Sequence, residues 1–349
     1  MNSILIQNQF VLITGAGGFI GFSLARKLLR SGYKVVGIDN LNNYYDPYLK
    51  KRRIEQISLT SKESKGEWKF EEVSIENEKE MYKVFRKYKP TVVFNLAAQA
   101  GVRYSIDNPK SYVFSNLVGF ANILELSRKF KVKNLIYASS SSIYGGNKKI
   151  PFDEEQNTDH PISLYAATKK SNELLAHSYS HLYGIPCTGI RFFTVYGPWG
   201  RPDMAPMIFA DALLKQIPIN VYNYGKMQRD FTYIDDVVTA LEKFLKKPAY
   251  SDPNFDCLNP NSSSSFAPHM VFNIGNSKPI ELLHFIKELE LAFGMKAILN
   301  LTSIQPGDVQ TTFADTKKLK SWIGYCPSTS LKKGIKNFAN WYLDFYSKK

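Results

Sequence analysis

The chain has 349 residues, 44% hydrophobic and 22% charged, and its 45 Lys and Arg outnumber 31 Asp and Glu for a formal charge of +14. That length and apolar share exclude a disordered or fibrous chain and leave room for one large domain or two medium ones. The charge raises contact with nucleic acid or a membrane, but the basic residues are scattered, without zinc spacing, a basic heptad helix or an RNA-binding aromatic pattern.

An anionic small-molecule substrate and solvated helix faces account for the excess instead. Cys187, Cys257 and Cys326 are too widely spaced for a redox or metal pair, which fits a reducing compartment. Residues 1–9 lack the basic and apolar regions of a leader, and no apolar run reaches the ~20 residues a membrane-crossing helix needs. The expectation is a soluble, cytoplasmic protein with no metal site and no nucleic-acid or membrane partner.

Phe10 to Ile13 predicts a short buried strand, followed by Thr14-Gly15-Ala16-Gly17-Gly18-Phe19-Ile20-Gly21. An amphipathic helix (Phe22, Leu24, Ala25, Leu28, Leu29) stops at Ser31-Gly32, and a second strand from Lys34 to Ile38 ends in Asp39. In that order these pieces make a dinucleotide cradle. The first glycine permits the tight turn, the others let backbone and helix approach a pyrophosphate, and the helix start offers amides to the anion. Asp39 accepts from the adenosine ribose and repels a 2′-phosphate, so NAD is expected over NADP.

Residues 40–68 read as an exposed segment with a Lys/Arg/Glu-rich helix. Lys69 to Ser74 predicts a third strand, Glu78 to Tyr88 a helix, and Thr91 to Leu96 a fourth strand. Ala97-Ala98-Gln99-Ala100-Gly101 supplies small residues against which a flat dinucleotide can lie. Phe114 to Phe130 predicts a long helix carrying Asn116, and Leu135 to Ala138 a fifth strand that runs out into Ser139 to Ser142.

From Leu164 a helical pattern places Tyr165 and Lys169 four apart, hence on one face. A free phenol titrates near ~10, and an adjacent ammonium stabilises the phenolate. With a serine hydroxyl beside it, such a pair takes a proton from an alcohol while a hydride leaves the same carbon. A surface tyrosine and lysine would show the same spacing; the cradle upstream favours the catalytic reading. Thr188 to Phe193 predicts a sixth strand, and the alternation of strand and helix predicts an α/β fold. It is a Rossmann-type doubly wound parallel sheet over residues 1–193.

Tyr196 to Pro202 is a turn-rich loop, Met207 to Lys215 a helix, Val221 to Gly225 a short strand, and Arg229 to Asp236 leads into a helix through Leu245. Residues 249–269, rich in Pro, Asn, Ser and Asp, read as a surface loop without function. Val271 to Ile274, a helix over Ile280 to Phe293 and an amphipathic helix over Leu331 to Phe345 complete a smaller C-terminal α/β substrate domain, 194–349. Within it, 228–248 is a candidate to pack back on the first domain.

Thr14 to Gly21, Asp39, Tyr165 and Lys169 resemble the extended short-chain dehydrogenase/reductase family, over essentially the whole chain. Within it the chain is similar to the NAD-dependent nucleotide-sugar 4-epimerases that act on UDP-glucuronate. Three strings carry that likeness: Tyr196-Gly197-Pro198-Trp199-Gly200-Arg201-Pro202-Asp203-Met204, Val221-Tyr222-Asn223-Tyr224-Gly225-Lys226-Met227 and Arg229-Asp230-Phe231-Thr232-Tyr233-Ile234-Asp235-Asp236. The resemblance implies Tyr165 as base, Lys169 as its electrostatic partner, and Ser140 or Ser142 as a third hydroxyl, the choice between them open. It implies NAD contacts at Gly15, Gly18, Phe19, Ile20, Gly21, Asp39, Asn40, Asn43, Ile75, Leu96, Ala97, Ala98, Gln99 and Asn116, besides Tyr165 and Lys169.

On the substrate side it implies that Arg229 and Asp308 grip the UDP phosphates and ribose, with Arg103, Val221 and Tyr222 lining the site. Thr194 and Arg201 are implied to hold the sugar carboxylate, which a guanidinium fork meets in two parallel bonds. Ser74 and Gln305 depart from the residues usual near the adenine and the diphosphate. A homodimer through the helices at Phe114 to Phe130 and Leu164 to Tyr183 is also implied, as is supply of polysaccharide precursors.

The implied reaction interconverts UDP-glucuronate and UDP-galacturonate through a 4-keto sugar with transient reduction of NAD. The rivals are a UDP-glucuronate decarboxylase and a UDP-hexose or N-acetylhexosamine 4-epimerase. A 4,6-dehydratase needs an acid pair where this chain has Ile143-Tyr144. A catalytically silent, NAD-sensing regulatory protein on the same fold typically lacks the Tyr–Lys pair.

Overall fold

Four strands that are apolar along nearly their whole length demand cover on both faces, which is the condition for a parallel sheet between helices. The computed structural model describes residues 9–305 and 308–346; residues 1–8, read above for a leader, and Pro306 and Gly307 lie outside them. The strands are β1 (Phe10–Thr14), β2 (Lys34–Asp39), β3 (Glu67–Glu72), β4 (Val92–Asn95), β5 (Asn134–Ser140), β6 (Cys187–Phe192), β7 (Thr194–Tyr196), β8 (Ile219–Val221), β9 (Gln228–Tyr233), β10 (His269–Ile274), β11 (Pro279–Glu281) and β12 (Leu299–Leu301). Seven make one parallel sheet in the order β10-β6-β5-β4-β1-β2-β3. The order reverses between β1 and β4, where such sheets hold ligands at their carboxyl ends.

Its helices are α1 (Phe19–Arg30), α2 (Pro47–Lys62), α3 (Glu78–Tyr88), α4 (Gly119–Lys129) and α5 (Leu164–Tyr183). Local chemistry starts and stops them. Ser163 caps α5 by accepting from the Ala166 amide at 3.1 Å, and Gly184 ends it at φ +66°, a conformation that costs glycine little. Apolar side chains of α3, α4, β1, β4 and β5 (Val84, Phe85, Phe120, Ile123, Leu12, Val93, Leu135) form one buried cluster under the sheet.

The chain folds as two units and passes between them several times. The first holds the residues up to 147, 154–192 and 238–273; the second holds 148–153, 193–237 and 274 onward. The return to the first unit has a physical cause: β10 completes the large sheet beside β6. The end of α7 (Ile234–Leu245), which follows α6 (Ala205–Lys215), is held by the buried Asn134 amide, which donates to the Phe244 and Leu245 carbonyls at 3.0 and 3.3 Å. In the second unit β9 lies between β7 and β11, and β12 pairs with β8 in parallel. It also carries α8 (Leu282–Phe293), α9 (Lys317–Ile323) and α10 (Leu331–Tyr346).

Four local expectations change. Residues 40–68 are not simply exposed, because α2 buries Leu49, Lys50, Arg53, Ile57 and Thr60. The long helix at Phe114 opens as a π-turn, Val113–Val118, before α4. The strand expected from Val221 ends there, since Asn223 and Tyr224 both turn left-handed at φ +51° and Asn223 Nδ2 donates to the Lys226 carbonyl. The start of the expected helix at Ile280 pairs instead with β9 as β11.

Candidate active site

The glycine loop joins β1 to α1. Gly15 stands at φ +72°, and a Cβ there would lie 2.8 Å from the Ala97 nitrogen; one on Gly21 would lie 2.1 Å from the Gly15 carbonyl oxygen. Neither position admits a side chain. The Gly18 amide closes the turn on the Gly15 carbonyl at 2.9 Å, and α1 begins without a side-chain cap, which suits an anion at its start. Thr14 Oγ1 donates to Asn95 Oδ1 at 2.7 Å and accepts from the Ala97 amide at 3.1 Å, fixing Leu96, Ala97 and Ala98 beside the loop.

Asp39 ends β2, its Oδ2 accepting from the Gly17 amide and its Oδ1 from the Leu41 amide, both at 2.9 Å. Each carboxylate oxygen has a second lone pair for a ribose hydroxyl. A side-chain-free loop, a bare helix start and a ribose-side acid fit NAD. Arg53, missed in the sequence because it sits in a basic run, is fully buried and donates to the Gly17 carbonyl at 2.8 Å and Tyr45 Oη at 2.7 Å. It braces the loop from behind.

The other residues implied for the cradle differ in burial and in protein partners. Asn116 is 2% exposed; its Oδ1 accepts from the Gln99 amide at 2.9 Å, and its Nδ2 donates to the Gln99 carbonyl and Thr168 Oγ1, both at 3.0 Å. With its carbonyl and both amide protons engaged by protein, Asn116 holds the 97–101 segment in place. The Ile75 side chain is buried in the core against Gly119. Asn40 and Asn43 are exposed, Asn40 donating to the Ser74 hydroxyl at 3.2 Å. Phe19 is buried and Ile20 partly so.

The serine run at the end of β5 divides by its hydrogen-bond partners. Ser139 Oγ donates to Glu173 Oε1 at 2.7 Å, whereas Ser140 Oγ donates to Ser142 Oγ at 3.1 Å and accepts from the Ser142 amide. Ser140 and Ser142 therefore stand together at the strand end, and the structure separates Ser139 from them. On α5, Lys169 is 2% exposed, donates to the Ala138 carbonyl at 2.8 Å, and lies 6.0 Å from the centre of the Tyr165 ring. Burial pulls Lys169 down to about 7. Tyr112 packs edge-on against Tyr165, centroids 6.1 Å apart. Arg103 is exposed just before the short helix Tyr104–Asp107.

One turn beyond Lys169, Glu173 takes two bonds from Arg191 of β6, Nε and Nη2 each at 2.9 Å. Arg191 also donates to Tyr144 Oη at 2.9 Å. Burial works against the Glu173 carboxylate, yet Arg191 outweighs it and holds Glu173 below the ordinary carboxylate range. This pair ties the helix bearing Tyr165 and Lys169 to the two strands beneath it. Continuing the four-residue spacing past Lys169 would have found Glu173 in the sequence; Arg191 carries no local signal.

In the second unit, Asp230 is the organising group. It is fully buried and accepts from the Asn276, Ser277 and Ala314 amides at 2.6, 3.0 and 3.1 Å. Burial pushes its carboxyl up against the pull of those amides. The Asp230 amide donates to Thr312 Oγ1, and Gln228 exchanges backbone bonds with Gln310 and Thr312. The segment after Asp308 thus runs along β9, and Arg229 donates to the Gln310 carbonyl at 3.1 Å. Val221 is fully buried, its carbonyl accepting from the Thr302 amide, with Tyr222 part-exposed after it. Thr194 opens β7, and Arg201 lies in the loop after it, bonded to Asp203.

The family model for GDP-mannose 4,6 dehydratase matches residues 12–338. The chain is 51% identical over 338 residues to Protein CapI of Staphylococcus aureus, covering 97% of this chain and 99% of that protein. It is 46% identical over 332 residues to a probable UDP-glucuronate 4-epimerase of Rhizobium meliloti, covering 95% and 96%. A crystal structure of UDP-glucuronic acid 4-epimerase from Bacillus cereus, in complex with UDP-glucuronic acid and NAD, superposes with a TM-score of 0.85 at 32% identity, over 97% of this chain and 100% of that one. With the glycine cradle, Asp39 and the Tyr165–Lys169 pair in place, the chain belongs to the GDP-mannose 4,6 dehydratase family, within the extended short-chain dehydrogenase/reductases.

Proposed function

We propose that this protein is an NAD-dependent isomerase that interconverts UDP-glucuronate and UDP-galacturonate by inverting sugar carbon 4. The observation that carries the reading is the juxtaposition of Ser140, Ser142 and the Lys169 ammonium at one strand end, with Tyr165 one helical turn from Lys169. NAD, held by Gly15, Gly18, Gly21, Asp39 and the Leu96–Gln99 stretch, supplies a reversible hydride acceptor. Tyr165 takes the 4-hydroxyl proton, Lys169 stabilises the phenolate, and Ser140 or Ser142 steadies the oxygen as a carbonyl forms there. The proton returns from Tyr165 once the sugar has turned over about its link to the diphosphate.

Arg229 and Asp308 anchor the nucleotide, so that the sugar turns without leaving, and Thr194 with Arg201 holds the carboxylate. Ile143 and Tyr144, both buried, stand where elimination of water would need acids, which favours epimerisation over 4,6-dehydration. Proton NMR of UDP-glucuronate with the purified protein tests the reading. UDP-galacturonate is expected without net change of NAD. UDP-xylose would identify a decarboxylase, and turnover of UDP-glucose alone would overturn the carboxylate assignment.

We further infer a homodimer. Phe114 and Val118 on one helix and Leu174 and Leu182 on α5 are exposed large apolar side chains, at 58%, 41%, 58% and 65%, on helices that pack side by side. No helix among the described residues is long and apolar enough to cross a membrane. Three free thiols support a reducing, cytoplasmic setting, and the products suit polysaccharide precursor supply.

A further inference from the structure

The loop between β7 and α6 holds its arginine in an arrangement that a carboxylate substrate has to undo. Trp199 takes a left-handed turn at φ +65° and packs its ring on Phe345 and Trp341 of α10, centroids 4.9 and 5.4 Å away. The Gly200 amide returns to the Gly197 carbonyl, and the Met204 amide to the Arg201 carbonyl, each at 3.1 Å. Two turns and an aromatic anchor thus set Arg201 and Asp203 side by side. Arg201 Nε donates to Asp203 Oδ1 at 3.1 Å, and Nη2 donates to Oδ2. The side chains are 22% and 28% exposed, so solvent and ligand reach the pair.

We propose that Asp203 is an internal competitor for the substrate's carboxylate: it occupies one edge of the Arg201 guanidinium until a ligand with a carboxylate of its own displaces it. The inference rests on the reading of Arg201 as the carboxylate-holding residue. A sugar carboxylate replaces Asp203 like for like, two N–H···O bonds for two, whereas the hydroxymethyl of a neutral hexose cannot form that charged, bidentate pair. Asp203 therefore lowers affinity for the acid sugar and leaves the neutral sugar untouched, which makes it a residue that sets selectivity through Arg201. An ion pair that only braced the loop would act in the opposite direction, since its removal would loosen Arg201 and weaken the acid sugar.

The test is calorimetric titration of the NAD-loaded Tyr165→Phe protein, which does not consume its ligand, with UDP-glucuronate, UDP-glucose and UDP. Adding Asp203→Asn is expected to tighten UDP-glucuronate by about two- to ten-fold and to move UDP-glucose and UDP less than about two-fold. Asp203→Glu, which keeps a carboxylate, is expected to stay near the parent. Unchanged or weaker UDP-glucuronate binding in Asp203→Asn, with UDP constant, would overturn the competitor role. Equal loss of all three ligands would also overturn it, as loop damage. Arg201→Ala separates the underlying reading: if it leaves the preference for UDP-glucuronate over UDP-glucose intact, Arg201 does not hold the carboxylate and the proposed substrate fails with it.

Discussion

Burial draws Lys169 to about 7, so under the proposed mechanism a negative charge forming on Tyr165 during turnover would hold its proton at neutral pH. Tyr165→Phe should cut turnover by about 10²–10⁴-fold while UDP affinity and melting temperature stay put. Lys169 also carries a stability signature. An unfolded lysine keeps its proton to about 10.4, so between pH 7 and 10 the unfolded chain binds more protons than the native one, and this group's unfavourable contribution fades as pH rises. Lys169→Met should therefore stabilise the cofactor-free protein by on the order of a few kcal/mol at pH 6 and by clearly less at pH 9, as read by urea melts. A larger gain at pH 9 would contradict the buried ammonium. At this scale the sequence was legible wherever chemistry depends on local spacing. Tyr165 and Lys169 are one turn apart on any helix, and Gly21 is forced by the Gly15 carbonyl within the same loop, whereas the Ala97 contact that also excludes a side chain at Gly15 comes from a remote segment.

The helix α5 shows what local spacing does not reach. Its register against β5 and β6 depends on Glu173 meeting Arg191 and Ser139, partners that only sheet pairing brings near. Removing one member of a buried pair leaves the other charge stranded, so Arg191→Met should cost about 3–5 kcal/mol of stability, measured by chemical denaturation. The double variant Glu173→Leu with Arg191→Met should recover much of that loss while activity stays low, because α5 is no longer pinned. The glycine loop gives a second case. Gly15→Ala forces a Cβ to 2.8 Å from the Ala97 nitrogen at φ +72°, so retention of NAD through gel filtration should be lost. Where segments were misread, a tertiary demand overrode composition. The basic run in α2 looks solvated, yet Arg53 turns inward because the Gly17 carbonyl needs a donor.

Across the whole molecule, the exposed apolar side chains Phe114, Val118, Leu174 and Leu182 define the surface on which a second copy would dock. The double variant Phe114→Asp with Leu182→Asp should sediment as a monomer at concentrations where the parent is a dimer, with NAD still bound; a parent that sediments as a monomer would remove the dimer proposal. By itself the sequence determined the dinucleotide cradle, the placing of Tyr165 and Lys169 on one helix face, the α/β class and the likeness to UDP-glucuronate epimerases. These rest on residues close in the chain, where turn geometry, helix period and strand burial act without distant partners. Only the tertiary structure decided that Ser139 donates to the buried Glu173 of the Glu173–Arg191 pair. It also decided that Asn116 braces a loop, that β10 returns to the large sheet, and that Arg201 faces Asp203. The first three follow from hydrogen bonds and strand pairing between segments remote in the chain. The last, though only two residues apart, depends on turns that Trp199 holds against α10.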